Sequence, residues 1–265
     1  CTATSFVGSG ADLTGVASTE NIRTNTNATF LQNINVGVAI TAGKLGIGFT
    51  DTNTKVGNTA LDSLTTGTHN TAVGENALTA STTGSHNVAV GSGALDANTT
   101  GNYNYALGKD ALGANTTGSV NVAIANALTS NTTGENNIAI GSNSLGDNTI
   151  GGQNVAIGRQ ALGDNTTANN NTAVGHNALF YNTTGGNNTA IDRDALKANT
   201  TASNSVAIGY FALVANTTGT QNIAIGVETL DANTTGSYNV AIGKAALGGN
   251  TTADYNVAVG QGALA

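Results

Sequence analysis

The stretch that decides the fold is Asn154-Val155-Ala156-Ile157-Gly158-Arg159-Gln160-Ala161-Leu162-Gly163-Asp164-Asn165-Thr166-Thr167-Ala168-Asn169-Asn170. Seventeen residues later the same pattern returns, with Leu179 in the place of Leu162 and Asn182 in the place of Asn165. From Gly57 to Leu264 about twelve copies follow one another, and one copy is a residue short near Ile124. A short period of this kind indicates a stack of similar structural units.

Each unit contains two apolar pieces, such as Asn-Val-Ala-Ile-Gly and Ala-Leu, separated by residues that favour turns. Neither piece is long enough for a stable helix, and Asn-Thr-Thr-Gly opposes one. Val, Ile and Thr favour strands, while Gly and Asn tolerate the positive φ of tight corners. The repeat therefore predicts an all-β fold, a parallel β-solenoid of about twelve 17-residue coils. At about 4.8 Å per coil, the stack is about 60 Å long.

Stacking places equivalent residues above one another, so we expect columns of identical side chains. The Asn of Asn-Thr-Thr should form a ladder of amides that bond to the coils above and below. The Thr that follows it should form a second column, for example at Thr99, Thr166 and Thr251. The predicted Asn ladder consists of Asn98, Asn115, Asn131, Asn148, Asn165, Asn182, Asn199, Asn216, Asn233 and Asn250.

The repeat also predicts an apolar interior. We expect Ile and Val of the strand to point inward together with the Leu of Ala-Leu. Ala156 and its equivalents would then lie on the opposite face of the strand, where a small side chain permits close approach of a second chain. The predicted interior comprises Ile157, Val174, Ile208, Ile225, Leu162, Leu179, Leu213 and Leu230.

Composition excludes several functional classes. Charged residues make up only 9% of the 265, the net charge is −7, and no basic stripe is present, so nucleic-acid binding is not expected. No run of 18 apolar residues indicates a membrane span. The single Cys1 excludes an internal disulfide framework and a CxxC metal site. No nucleophile-elbow or phosphate-loop spacing occurs, so we expect neither an enzyme nor a cofactor.

Metal-binding residue types are sparse. His69 and His86 share one place in the repeat and should stack, but no third ligand lies near them in the pattern. No EF-hand or nonapeptide calcium repeat is present. The pattern therefore favours solvated turn positions, with calcium as the open alternative, for the carboxylates Asp96, Asp147, Asp164 and Asp231.

Aromatic residues are placed at the corners of the predicted coils. There they either shield the stack or form a surface for host glycans, since ring faces can stack on sugar C–H groups. These candidate contacts are Tyr103, Phe180, Tyr181, Tyr210, Phe211, Tyr238 and Tyr255.

Residues 1–56 do not follow the period, which predicts an N-terminal connector of short β pieces and loops before the solenoid of residues 57–265. An uncovered end of a solenoid is an exposed sheet edge. We therefore expect more protein to follow, or another module to cover that end.

Two stretches resemble known families. The repeated Asn-Val-Ala-Ile-Gly, at residues 154–158 and 239–243, resembles the coil motif in head domains of trimeric autotransporter adhesins, which form trimeric parallel β-rolls that bind host surfaces. The units of those heads lack the extra Asn-Thr-Thr corner. Residues 2–16, Thr-Ala-Thr-Ser-Phe-Val-Gly-Ser-Gly-Ala-Asp-Leu-Thr-Gly-Val, look like segments of tail-fibre and virion structural proteins of cyanobacterial viruses. Both resemblances imply a homotrimer, intertwined or side by side.

The leading hypothesis is a shaft segment of a phage tail or virion fibre that supports host attachment, located in the virion. It implies further fibre or virion proteins at both ends. The alternative is a bacterial surface adhesin, extracellular or on the cell surface, whose solenoid binds host ligands or glycans. A minor alternative is an ice-binding solenoid, since rows of Thr can order water. The Thr pair is adjacent, however, so we expect only one Thr per coil to face outward.

Overall fold

A computed structural model describes residues 52–265. This part of the chain contains no helix and consists of three-residue strands joined by turns. The strands are β1 (Thr54–Val56), β2 (Thr71–Val73), β3 (Val88–Val90), β4 (Tyr105–Leu107), β5 (Val122–Ile124), β6 (Ile138–Ile140), β7 (Val155–Ile157), β8 (Thr172–Val174), β9 (Thr189–Ile191), β10 (Val206–Ile208), β11 (Ile223–Ile225), β12 (Val240–Ile242) and β13 (Val257–Val259).

All thirteen strands form one parallel sheet in chain order, so each coil pairs with the coils before and after it. The register follows the repeat: Val155 of β7 pairs with Thr172 of β8, and Ala156 pairs with Ala173. The prediction of a parallel β-solenoid with a 17-residue coil is confirmed.

The short copy changes one corner and leaves the stack intact. Ala123 of β5 pairs with Ala139 of β6, a separation of 16 residues, and regular pairing resumes in the next coil. The missing residue falls in the turn after Ile124, where Ala125 has a φ of +70°. A corner can therefore lose a residue without changing the register of the strands.

The interior differs from the sequence prediction in one respect. Leu162 and its equivalents are fully buried, as expected. The Ala in the middle of each strand is also fully buried, whereas the flanking Val and Ile point outward: Ala156 is 0% exposed and Ile157 is 38% exposed. The predictions that Ile157, Val174, Ile208 and Ile225 lie inside, and that Ala156 faces another surface, are wrong.

The narrow cross-section of the coil explains this inversion. Alternation along the strand puts Asn154 and Ala156 on one face and Val155 and Ile157 on the other. The interior of most coils already holds the Leu and two Asn side chains, so only a small side chain fits at the centre of the strand. The larger β-branched residues therefore occupy the outer face.

The corners require backbone conformations that most residues avoid. Gln160, Leu162 and Asn170 all have φ between +52° and +61°, and their equivalents repeat this in most coils. At Gly158 the φ is +129°, and a β-carbon there would lie 2.6 Å from the carbonyl oxygen of Gly175 in the next coil. Glycine after the strand is thus required by both the turn and the close stacking of coils.

The first strand precedes the boundary that the repeat suggested. Thr54–Val56 forms β1 and pairs with β2, although these three residues were assigned to the N-terminal connector. The expected connector otherwise falls on residues 1–51, outside the described residues.

Candidate assembly and ligand surfaces

The predicted Asn ladder forms a continuous chain of buried amides. Nδ2 of Asn165 donates to Oδ1 of Asn148 in the preceding coil at 2.8 Å and to the carbonyl oxygen of Ala168 at 3.2 Å. The amide-to-amide bond recurs between every successive pair from Asn98 to Asn250. All members except the last, Asn250, are fully buried. The ladder therefore belongs to the interior and offers no surface to a ligand.

A second column of buried Asn side chains was not predicted from the sequence. It contains the Asn that precedes each strand, such as Asn154, whose Oδ1 accepts the backbone N–H of Asn171 at 3.0 Å. Nδ2 of Asn154 donates to the Ala168 carbonyl at 2.9 Å, the same oxygen that Asn165 uses. The repeat does contain a pattern that could have predicted this column, because an Asn stands two residues before the strand Ala in almost every copy.

The Thr column uses its hydroxyls to join coils. Oγ1 of Thr99 donates to the carbonyl oxygen of Thr116 at 3.0 Å, and Oγ1 of Thr166 donates to that of Thr183 at 3.2 Å. Thr251 ends the column by accepting the hydroxyl of Thr234 at its carbonyl. The second Thr of each pair is mostly exposed, so one Thr per coil faces solvent.

The outward side chains of the strands form an apolar surface along the described residues. The last residue of every strand is aliphatic, and together these residues make one column, which we call the outer aliphatic column. The seven most exposed residues of this column have between 36% and 67% of their surface exposed to solvent. The column consists of Val56, Val73, Val90, Leu107, Ile124, Ile140, Ile157, Val174, Ile191, Ile208, Ile225, Ile242 and Val259.

The first residues of the strands run parallel to this column and are mostly Val, Ile and Thr. The two columns together form an apolar face about 60 Å long and two side chains wide. Monomeric soluble proteins rarely expose a continuous apolar patch larger than a few hundred Å². This face is therefore the strongest candidate for an assembly surface.

The corner aromatics stack on one another. The ring of Tyr103 lies 4.8 Å from that of His86, which lies 4.7 Å from His69, and the rings are parallel. Tyr238 and Tyr255 stack in the same way at 4.9 Å. These contacts cover both ring faces of His86 and one face of each of the other rings, while Tyr103 and Tyr255 remain 50% and 74% exposed.

The other candidate aromatics lie at two further corners. Phe180 and Tyr181 meet edge to face at 4.6 Å, and Tyr181 is 47% exposed. Tyr210 and Phe211 stack at 4.0 Å, and the guanidinium carbon of Arg193 lies 5.6 Å from the centre of the Tyr210 ring. This is the one aromatic pair in the described part of the chain that combines with a cation.

The candidate carboxylates lie beside the Asn ladder, and Asp147 and Asp164 occupy the same place in adjacent coils. Burial raises the pKa of Asp96, and Asp110 adds to this effect; burial and the nearby Asp147 raise the pKa of Asp164. Within residues 52–265, no group of three or more His, Cys, Asp or Glu side chains could hold a metal ion. The same residues include no helix long and apolar enough to cross a membrane.

Comparisons of the chain with protein-family models, with curated proteins and with solved structures find no match.

Proposed function

We propose that this chain is a shaft segment of a viral tail or virion fibre, assembled as a homotrimer, that supports attachment to a host surface. The role is structural and involves no catalysis or cofactor. The observation that carries the proposal is the outer aliphatic column, which runs without interruption from Val56 to Val259 on a solenoid whose coils are nearly identical.

A second and third copy of the same chain are the most suitable cover for this face. The face repeats every coil, so a partner must offer apolar side chains at the same spacing along its whole length. Copies of this chain meet that requirement at every coil. Closed rotational symmetry is also the usual arrangement of identical subunits.

The repeated coil supports a shaft in particular. Every coil adds a similar length of about 4.8 Å and presents a similar outline, so length can change without a change of structure. The resemblance of residues 2–16 to cyanobacterial virus fibre and virion proteins, and of Asn-Val-Ala-Ile-Gly to trimeric adhesin heads, favours a fibre that holds a recognition element away from a particle.

The assembly is tested by a triple substitution in the outer aliphatic column, Ile191→Asp, Ile208→Asp and Ile225→Asp. The matched control is Thr201→Asp, Thr218→Asp and Thr235→Asp, in which the same charges replace exposed Thr residues of the same coils. We expect sedimentation to give a trimer for the unmodified chain and the control, and dissociation for the Ile variant, because charges cannot be buried without partners. A folded, stable monomer of the unmodified chain would contradict the proposal.

The viral role is tested separately. Antibodies against residues 57–265 should label a fibre on purified virions in electron microscopy. Label on a bacterial surface in the absence of particles would instead favour the adhesin alternative, whose support is the adhesin-like strand motif.

The adhesin alternative also requires that the solenoid itself binds the host. In that case replacing Tyr210, Phe211 and Tyr238 with Ser should abolish host binding while the rod still folds. A shaft that only separates other modules should show no host binding in either form. The exposed row of Thr is the feature that favours ice binding. A measurement of thermal hysteresis would be needed to support that function.

A further inference from the structure

Cationic side chains gather in one region of an otherwise acidic chain. Three of the six Lys and Arg residues between positions 52 and 265 lie in two coils, those that contain β7 and β9, with His176 in the coil between them. The six are Lys55, Lys109, Arg159, Arg193, Lys197 and Lys244. We call the group Arg159, His176, Arg193 and Lys197 the basic cluster.

The stacking of coils aligns part of this cluster. Arg159, His176, Arg193 and Tyr210 follow each other at intervals of 17 residues and occupy the same corner of four successive coils. Nη1 of Arg159 lies 3.2 Å from Nε2 of His176. Arg193 lies over the ring of Tyr210. The result is a continuous edge of two guanidinium groups, an imidazole and an aromatic ring.

Arg193 is held in place by a buried carboxylate. Its Nε donates to Oδ2 of Asp194 at 3.1 Å, and the Asp194 side chain is only 4% exposed. Nδ2 of Asn177 and Nζ of Lys197 fix the other oxygen of Asp194, at 3.0 and 3.1 Å. The Arg193 side chain is nevertheless 60% exposed. A buried group thus orients an exposed cation.

The backbone beside Arg193 is also unusual. Asp192 occupies the corner that is Gly in eleven of the thirteen coils, and it has a φ of +99°. Its Oδ1 accepts the backbone N–H of Arg193 at 2.7 Å. A non-glycine residue in this region is strained, and such strain is concentrated at functional positions.

We propose that the basic cluster, with Tyr210, binds an acidic polysaccharide that carries a carboxylate or sulfate group on alternate sugars. Guanidinium groups bind planar or tetrahedral oxyanions through paired hydrogen bonds. Arg159 and Arg193 are two coils apart, about 9.6 Å, which is close to the length of a disaccharide unit in an extended β-linked polysaccharide. The Tyr210 ring supplies an apolar edge beside the second cation.

The charge of the molecule argues against nucleic acid as the ligand. A duplex presents a dense row of phosphates, whereas the cluster has three full cations, balanced in part by Asp192 and Asp194, on a chain of net charge −7. A ligand with widely spaced anionic groups matches the basic cluster better than a nucleic acid does. The inference is independent of the shaft proposal, since a shaft can carry a binding edge or lack one.

The test measures binding of the full chain to three polysaccharides of similar length: one with glucuronate on alternate sugars, dextran sulfate, and neutral dextran. The variant is Arg159→Gln with Arg193→Gln. The matched control is Lys109→Gln with Lys244→Gln, which removes the same charge from the same corner of two other coils. A third form, Arg159→Lys with Arg193→Lys, keeps the charge and removes the paired hydrogen bonds.

We expect the unmodified chain to bind one or both acidic polysaccharides and not neutral dextran; the preferred one identifies carboxylate or sulfate as the recognised group. The Arg→Gln pair should weaken binding at least tenfold, the Arg→Lys pair severalfold, and the Lys→Gln control less than twofold. Circular dichroism and sedimentation should be unchanged in all variants. The proposal is overturned by no binding to either acidic polysaccharide, or by equal losses in the Arg→Gln and Lys→Gln pairs.

Discussion

The amide of Asn165 makes three hydrogen bonds inside the solenoid. It donates to Asn148 and to the Ala168 carbonyl, and its oxygen accepts from Asn182 at 3.1 Å. Asn serves here because it has a donor and an acceptor at the same end of a short side chain. Buried Asn columns replace much of the apolar core that a thin coil of Ala and Leu cannot supply.

This role predicts the effect of Asn165→Asp. The carboxylate would face two acceptors and lose both donated bonds, so at neutral pH we expect a loss of about 1–3 kcal/mol in the free energy of unfolding. Lowering the pH should reduce the loss, because a protonated carboxyl recovers one donor. Denaturant titration of the variant beside Asn187→Asp, at an exposed corner, measures the difference. Equal effects of the two substitutions would show that the ladder amide contributes no more than a surface residue.

The pKa shifts of Asp164 and Asp194 predict opposite effects of acid on the free energy of unfolding. The pKa of Asp164 is raised by burial and by Asp147, so the folded state binds its proton more tightly than the unfolded state. Asp164 therefore opposes folding above its folded pKa, and this penalty is relieved as the pH falls towards the unfolded value of about 3.8. We expect Asp164→Asn to reduce the gain in unfolding free energy between pH 7 and pH 4.

Asp194 responds in the other direction and at lower pH. Burial alone would raise the pKa of Asp194, but the Asn177 amide and the charges of Lys197 and Arg193 hold it below its ordinary value. Its stabilising contribution is present above the unfolded pKa and is lost as the pH falls through the folded pKa. Unfolding free energies of Asp194→Asn and of the unmodified chain should therefore differ at pH 7 and converge as the pH falls through the lowered pKa of Asp194. A constant difference across this range would contradict the assignment.

At the scale of the single element, the coil rather than the strand is the unit of structure. A strand of three residues has little stability by itself, and its bonds go to the coils before and after it. The coil from Asn121 to Asn136 shows which part is essential. It lacks one corner residue, yet Asn131 still donates to Asn115 and Asn137 still donates its backbone N–H to Asn121.

Deletion of one whole coil should consequently be tolerated. Removing residues 154–170 joins Gln153 to Asn171, restores every column, and shortens the solenoid by about 4.8 Å. Removing residues 163–170 instead places polar residues over the Ala and Leu columns and should prevent cooperative folding. Circular dichroism melts and small-angle scattering distinguish the two outcomes. Comparable melting of both deletions would mean that the columns are not in register in solution.

At the scale of the whole described unit, contacts are made between neighbouring coils, so stability grows by similar steps along the stack. The surfaces of the described coils carry two kinds of feature: the apolar face repeats in every coil, while the basic cluster interrupts the repeat in a few. The first feature suits assembly along the full length, and the second suits recognition at one height of the stack.

The sequence by itself determined the number of coils, their parallel register, the Asn ladder and the buried Leu column. A fixed period places equivalent residues above one another, and side chains as uniform as Asn165 and Thr166 must then contact their own kind. Only the tertiary structure decided that Ala156 lies inside and Ile157 outside. Alternation shows which residues share a face of a strand, but not which face is enclosed; the width of the closed coil settles that.

The tertiary structure also decided the arrangement at the corners. Tyr238 and Tyr255 stack on each other, and the sequence had left open whether such corner aromatics shield the stack or bind a ligand. Arg159 and Arg193 lie in a variable place of the repeat, and 34 residues separate them in the chain. Their alignment on one edge, and the buried Asp194 that orients Arg193, depend on contacts between coils that no local pattern contains.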